Sequence, residues 1–160
     1  MRLLATFIVL ASLPLAAQDP DWTRFQFLLG KWTGVSDEKD SQLGPGRGEC
    51  SFDLDLGGKI IIRRNSASYD SGMKHDDLLV IYADGAPRAI YFDNEGHVIR
   101  YNIRFRPEGR VVFESDQAGP RYRLSYWTEG HDLITTFEVA LPGAAYKNYA
   151  GGRLRRAGAR

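Results

Sequence analysis

Cysteine is almost absent from this sequence. Cys50 is the only one among 160 residues, so no disulfide can form within the chain and stability must come from a packed core. An isolated thiol is usually a small buried hydrophobe. The neighbours of Cys50 are Glu49, Ser51 and Phe52, and none is a cation that would lower its pKa. Cys50 is therefore not a candidate nucleophile.

Familiar catalytic motifs are also missing. No G-x-S-x-G nucleophile elbow and no H-E-x-x-H zinc motif occurs, and "GPGRGE" at 44–49 lacks the Gly-Lys-Ser/Thr of a phosphate-binding loop. The chain has three histidines, which are His75, His97 and His131. These absences argue against an esterase with that elbow, a zinc peptidase of that type and a nucleotide-binding domain.

Long apolar runs are scarce, and the one present is "LLATFIVLASLPLAA" at residues 3–17. It is shorter than the roughly 20 residues that a membrane span takes. It follows the positive start Met1-Arg2 and ends in Ala16 and Ala17 before the polar "QDPD". This pattern predicts a signal peptide over 1–17, a mature domain over 18–160, and export to the periplasm or the medium with no remaining span.

Net charge is close to zero. The chain has 21 basic and 20 acidic residues, and removal of Arg2 with the predicted signal leaves 20 of each. A balanced chain has no global field that would attract a polyanion, and strand alternation explains why arginines and aromatics are interleaved. Nucleic acid is therefore not an expected partner.

What the mature chain has in abundance is turn residues at short intervals, such as "GPGRG" at 44–48, "DSG" at 70–72 and "NEG" at 94–96. The runs between them, roughly six to ten residues long, are rich in Ile, Val, Tyr, Phe and Arg, which is typical of successive antiparallel strands. The predicted strands are approximately 31–38, 48–56, 59–69, 76–83, 87–93, 97–106, 110–115, 121–128, 132–140 and 145–155.

Alternation of apolar and polar residues within these runs indicates strands with one buried face and one solvent-exposed face. In "HVIRYNIRF" at 97–105, Ile99 and Tyr101 share a face that Val98 and Arg100 do not. Closing the sheet removes its exposed edges. We therefore predict an all-β fold, a closed antiparallel meander barrel of about ten strands. A short helix in "DPDWTRFQFLLG" at 19–30 is expected to plug one end.

The segment "FLLGKWTG" at 27–34 places Gly-x-Trp-x-Gly at the start of the first strand. This resembles the beginning of calycin-type barrels, which include lipocalins, fatty-acid-binding proteins and nitrobindin-like haem barrels. In those barrels the tryptophan closes the floor, often beneath an arginine of the last strand. The resemblance implies that Trp32 is the floor residue and that Arg153 or Arg155 supplies the arginine.

A wider resemblance covers most of the mature chain. Together with the segment above, "GRGECSFDLDLGGKIIIRRN" and "HDDLLVIYADGAPRAIYFDNEGHVIRY" look like a group of small exported bacterial proteins of unknown function. The resemblance implies a barrel around a cavity and no particular activity. Nitrobindin-like barrels bind haem through a histidine near the C-terminus, and no histidine follows His131. No cofactor is therefore predicted.

Two adjacent arginines give the first candidate site. Because successive side chains alternate, either Arg63 or Arg64 must point into the barrel. The inward arginine has two interpretations: an internal pair with an Asp, Glu or Tyr, or an anchor for a ligand carboxylate, as the fatty-acid-binding resemblance suggests. The rest of the predicted ligand site is apolar and aromatic, and consists of Tyr91, Ile99, Tyr101, Phe113, Tyr126 and Phe137.

A second candidate lies where three predicted strands meet. If Ala83 pairs with Arg88, then Leu78 lies opposite Asp93. This register brings together a rim cluster that consists of His75, Asp77, Asp93 and His97, with Asp76 and Glu95 nearby. The cluster has two interpretations: polar residues that fix the turns, or an acid–base or metal site. We expect weak or absent metal binding, because two of these residues sit where strands begin or turn.

Three functions remain open. The first is an exported binding module that holds a small apolar or amphipathic ligand, and ten strands favour a cavity large enough for one. The second is a hydrolase or isomerase that uses the rim cluster. The third is a structural or interaction barrel whose interior is filled by its own side chains.

Overall fold

Ten antiparallel strands form the fold. The computed structural model describes residues 19–36 and 41–158, so the predicted signal peptide at 1–17 lies outside the described residues. The strands are β1 Gly30–Ser36, β2 Gly46–Asp55, β3 Ile60–Tyr69, β4 Lys74–Asp84, β5 Ala86–Asp93, β6 Val98–Phe105, β7 Val111–Ser115, β8 Arg121–Glu129, β9 Asp132–Ala140 and β10 Lys147–Arg156.

The strands close into a barrel. Each strand pairs with the next along the chain, and β1 pairs with β10, so the predicted all-β meander barrel is confirmed. Closure leaves no unpaired edge in the sheet. In the part of the chain that the structure describes, no helix is long and apolar enough to cross a membrane.

The predicted N-terminal helix is wrong. The segment forms a three-residue 3-10 turn, Thr23–Phe25, and just before it Asp21 Oδ1 accepts a hydrogen bond from the backbone N–H of Thr23 at 2.9 Å. Leu28 N–H donates to Phe25 C=O at 2.9 Å, which is again a bond between residues three apart. Such turns bring side chains three apart onto one side, so Phe25 and Leu28 both enter the barrel, where they are 1% and 0% exposed.

This N-terminal segment still closes one end of the barrel, which we call the floor. Trp22 donates from Nε1 to Gly58 C=O at 2.7 Å, and the Phe25 ring packs edge-on against Phe105 with centroids 4.9 Å apart. Trp32 is 3% exposed and donates from Nε1 to Leu28 C=O at 2.7 Å. The opposite end, where β3 turns into β4 and β5 into β6, is the mouth.

The arginine over the tryptophan is Arg156, so the prediction of Arg153 or Arg155 is wrong. The Arg156 guanidinium carbon lies 4.1 Å from the centre of the Trp32 ring, and Nη1 also donates to Leu29 C=O. The reason is register, because Trp32 pairs directly with Arg156 across β1 and β10. Arg153 and Arg155 point outward, where both contact Asp132.

The two glycines of Gly-x-Trp-x-Gly have separate roles in this packing. Gly30 has φ of +108°, which L side chains rarely adopt, and it lies against the Arg156 guanidinium. Gly34 lets β1 approach β10, since a Cβ there would meet Arg153 C=O at 2.6 Å and Leu154 Cγ at 2.7 Å. The two glycines therefore leave room for the Arg156 side chain and for the close approach of β10 beside Trp32.

Candidate functional site

A cavity of about 400 Å³ occupies the mouth half of the barrel. Its edge includes the exposed residues Val35, Arg47, Glu95 and His97, so it communicates with solvent. Its side chains divide into two groups by chemistry. The apolar wall includes Met73, Ile99, Leu124, Phe137, Val139 and Leu154, and the polar wall includes Arg63, Asn65, His75, Asp77, Tyr91 and Asp93.

Small residues leave the room for this cavity. Gly34 of β1 pairs with Gly48 of β2, and Gly48 pairs in turn with Ala67 of β3. Gly152 of β10 also borders the space, as do all three of the others. At these four positions the strands contribute almost no side-chain volume, whereas large side chains such as Tyr101, Phe113 and Tyr126 fill the interior below.

The predicted ligand residues divide into two groups. Arg63, Tyr91, Ile99 and Phe137 line the cavity. Arg64 does not, because it is the outward and exposed member of the arginine pair. The prediction was also wrong to place Tyr101, Phe113 and Tyr126 in the ligand site. These three side chains form a packed layer between the cavity and the floor. The Tyr101 and Phe113 ring centroids are 6.2 Å apart, and those of Phe113 and Tyr126 are 6.0 Å apart.

The inward arginine has an internal partner. Arg63 Nη1 lies 2.8 Å from Asp77 Oδ1, and Nη2 donates to Oδ2 at 3.3 Å. Asn65 Nδ2 donates to the same Oδ2 at 2.9 Å, and the Arg63 and Asp77 side chains are only 9% and 2% exposed. Burial alone would lower the Arg63 pKa, but the charge of Asp77 raises it above its ordinary value, so Arg63 stays protonated.

A chain of polar contacts leads from this pair to the mouth. His75 Nε2 lies 3.4 Å from Asp77 Oδ2 and 2.9 Å from the Tyr91 hydroxyl. That hydroxyl donates to Asp93 Oδ2 at 3.2 Å, and His97 Nδ1 lies 2.9 Å from the same oxygen. The four predicted rim residues are therefore brought together, with Tyr91 linking them.

The register that creates this cluster differs by one residue from the predicted register. Tyr82 pairs with Arg88 and Asp77 with Asp93, whereas the prediction placed Leu78 opposite Asp93. The turn is tighter than expected, because Asp84 and Ala86 already pair across Gly85, whose φ is +68°.

The rim residues have altered acidities. The His75 pKa is raised, first by its hydrogen bond with Asp77, and further by the charge of Asp77 and a contact from Nδ1 to Glu95 Oε1 at 3.3 Å, against the effect of burial. For Asp93, burial would raise the pKa, but hydrogen bonds from the His97 backbone and ring and from Glu95 N–H hold it below its usual value. Burial raises the Tyr91 pKa, so that its hydroxyl remains a donor.

Within residues 19–36 and 41–158, no group of three or more His, Cys, Asp or Glu side chains is placed to hold a metal ion. His131 lies exposed in the turn between β8 and β9.

A short segment lies across the mouth. Gln42 N–H donates to Tyr149 C=O at 2.9 Å, and its side-chain Nε2 donates to Asn148 C=O at 2.6 Å, which ties residues 41–45 to β10. Leu43 of this segment faces the cavity. Entry to the cavity is therefore bordered on this side by an apolar side chain.

The sequence interpretation missed Asn65, which supports the buried pair. Period-two alternation already placed Asn65 on the face of Arg63, so the signal was present in "RRN". It also missed Leu124 and Leu154 as cavity residues. No protein-family model matches the chain, and no curated protein matches it.

Proposed function

We propose that this protein is a binding module that holds one small apolar or amphipathic molecule in the barrel cavity. The observation that carries the proposal is the cavity of about 400 Å³, which combines an apolar wall with a polar cluster and communicates with solvent. Ligand sites in proteins commonly have this form, a concave and mainly apolar space with a few polar groups that fix orientation.

The distribution of side-chain size supports binding over a filled structural barrel. A barrel that serves only as a scaffold has no need of space at one end. Here Gly34, Gly48, Ala67 and Gly152 meet around one space, while large aromatics fill the layer below it. Packing toward native density would favour larger residues at such positions.

We also propose that the barrel is calycin-like and exported. Trp32 beneath Arg156 of the last strand is the arrangement that the calycin resemblance implies, with a different arginine from those expected. The apolar run at 3–17 after a positive start supports export.

Fluorescence of N-phenylnaphthylamine, an uncharged probe of apolar cavities, tests the proposed binding. We expect saturable binding by the wild type and its loss in Ala67→Trp, which fills the cavity from β3. Ser66→Trp is the matched control, because Ser66 is the exposed neighbour on the opposite face of the same strand. Equal binding by both variants would place the probe elsewhere and contradict the proposal.

Acid–base catalysis is the second candidate function. It is favoured by one observation, that His75 contacts Glu95 through Nδ1 and the Tyr91 hydroxyl through Nε2. A histidine oriented by a carboxylate on one nitrogen can exchange a proton through the other. Turnover of nitrophenyl esters that is lost in His75→Gln while probe binding persists would support catalysis, and absence of turnover in the wild type would count against ester hydrolysis.

A further inference from the structure

The buried cation at the base of the cavity is already neutralised. Both Nη atoms of Arg63 face Asp77, and Asn65 adds a further donor to that carboxylate. The Asp77 side chain is 2% exposed, so it cannot turn away into solvent without losing this environment. Arg63 is therefore held by a carboxylate of the protein before any ligand arrives.

The polar wall as a whole has no excess of positive charge. Its carboxylates are Asp77, Asp93 and Glu95, and each lies within 3.3 Å of Arg63, His97 or His75, respectively. When His75 and His97 are both neutral, Arg63 and the three carboxylates leave two negative charges in excess. When both histidines are protonated, the excess is zero. Arg47 also borders the mouth, but it is exposed, so solvent and salt screen it.

An anionic head group would be unfavourable in this setting. To reach Arg63 it would have to displace Asp77, which would leave a buried carboxylate without its partner. An ammonium group meets no such repulsion, because the wall has negative charge in excess whenever its two histidines are neutral, although it must give up its hydration on entry. An uncharged hydroxyl or amide group needs no counter-ion, and it can donate to carboxylate oxygens or accept from the Asn65 amide.

We propose that the cavity selects against amphiphiles with an anionic head group and accepts uncharged, hydrogen-bonding ones, and that Asp77 determines this specificity by occupying Arg63. The proposal rests on the proposed binding function and names the ligand class. It departs from the ligand carboxylate that the fatty-acid-binding resemblance suggested as one of the two interpretations of the inward arginine. The same geometry makes Asp77→Asn a change of specificity, because the neutral amide would leave the Arg63 charge available to a carboxylate.

Displacement of bound N-phenylnaphthylamine by decanol, decanoate and decylamine at neutral pH tests the proposal, because the three differ only in the head group. For the wild type we expect decanoate to compete only at a concentration at least about tenfold higher than decanol or decylamine. In Asp77→Asn we expect decanoate to compete better than decanol. The double variant Arg63→Gln/Asp77→Asn is the control, since it has neither charge and should prefer decanol again.

The outcomes separate the two proposals. If the probe binds the wild type and decanoate competes as well as decanol, the head-group specificity is wrong and the binding function stands. If neither the probe nor any of the three amphiphiles binds, the binding function itself is wrong. The wild-type order of the three compounds decides the specificity even if Asp77→Asn fails to fold.

Discussion

Asp77 of β4 lies directly opposite Asp93 of β5, and both carboxylates border the same cavity. Like charges opposite each other in a sheet destabilise it unless each has a compensating partner. Asp77 has Arg63 and Asn65 as partners. Asp93 has the Tyr91 hydroxyl, the His97 ring and two backbone N–H groups. The two carboxylates are thus stabilised by different means, and each can be tested separately.

The Arg63–Asp77 pair should be sensitive to loss of one partner. Arg63→Met leaves the Asp77 charge buried and unpaired, and we expect the free energy of unfolding to fall by about 3–5 kcal/mol. The control is Arg64→Met on the exposed face of the same strand, where a change within about 0.5 kcal/mol is expected. Urea denaturation measures both, and equal effects would mean that the pair is not buried as described.

Trp32 should be a main determinant of floor stability. Trp32→Ala removes a side chain that is 3% exposed, and we expect a loss of about 3–5 kcal/mol in the free energy of unfolding by cavity formation. A loss below about 1 kcal/mol would show that Trp32 does not close the floor. Denaturant unfolding followed by circular dichroism is the measurement.

The arginine assignment predicts a difference between neighbours on β10. Arg156→Gln removes the cation above the Trp32 ring and should destabilise the protein by about 1 kcal/mol. Arg155→Gln removes only an exposed contact with Asp132, and a smaller effect is expected. If Arg155→Gln were the more destabilising change, the register between β1 and β10 would be wrong.

His75 should make stability depend on pH. Its folded pKa is raised above the ordinary 6.5, so its contribution is fully present below pH 6.5 and is lost as the pH rises through the folded pKa. His75→Gln should therefore flatten the decline in thermal stability above pH 6.5, whereas the exposed His131→Gln should leave it unchanged. A decline that persists in His75→Gln would assign it to another group.

Asp93 should act in the acid range with the opposite sign. Its folded pKa lies below the ordinary 3.8, so its contribution is present above pH 3.8 and is lost as the pH falls through the folded pKa. Asp93→Asn should reduce stability near neutral pH and lessen the loss of stability on acidification. An acid titration of thermal stability that is identical to the wild type would refute this role.

Local patterns predicted much of this barrel, and long-range pairing explains most of what they missed. Turn residues and alternation gave the ten strands, because hairpin pairing is set by neighbours in sequence. Arg156 was missed because its place over Trp32 depends on how the last strand pairs with the first. Alternation predicted that either Arg63 or Arg64 points inward. It could not predict which arginine does so or which acidic residue is its partner, because both depend on packing across β3 and β4.

The strand count and the resemblance predicted a cavity, but not its position along the barrel or the residues that leave room for it. Its volume depends on Gly34, Gly48, Ala67 and Gly152 meeting at one end, and these residues belong to four different strands. The same lack of long-range information placed Tyr101, Phe113 and Tyr126 in the ligand site, because alternation gives the inward face without the depth along the barrel. Depth decides whether an inward aromatic lines a cavity or fills the core.

Native mass spectrometry of protein purified from its host without refolding tests the central claim of cavity binding most directly. We predict one small molecule bound per chain, retained in Ser66→Trp and absent from Ala67→Trp. A wild-type chain that carries no adduct and takes up none of the three decyl amphiphiles would contradict the claim.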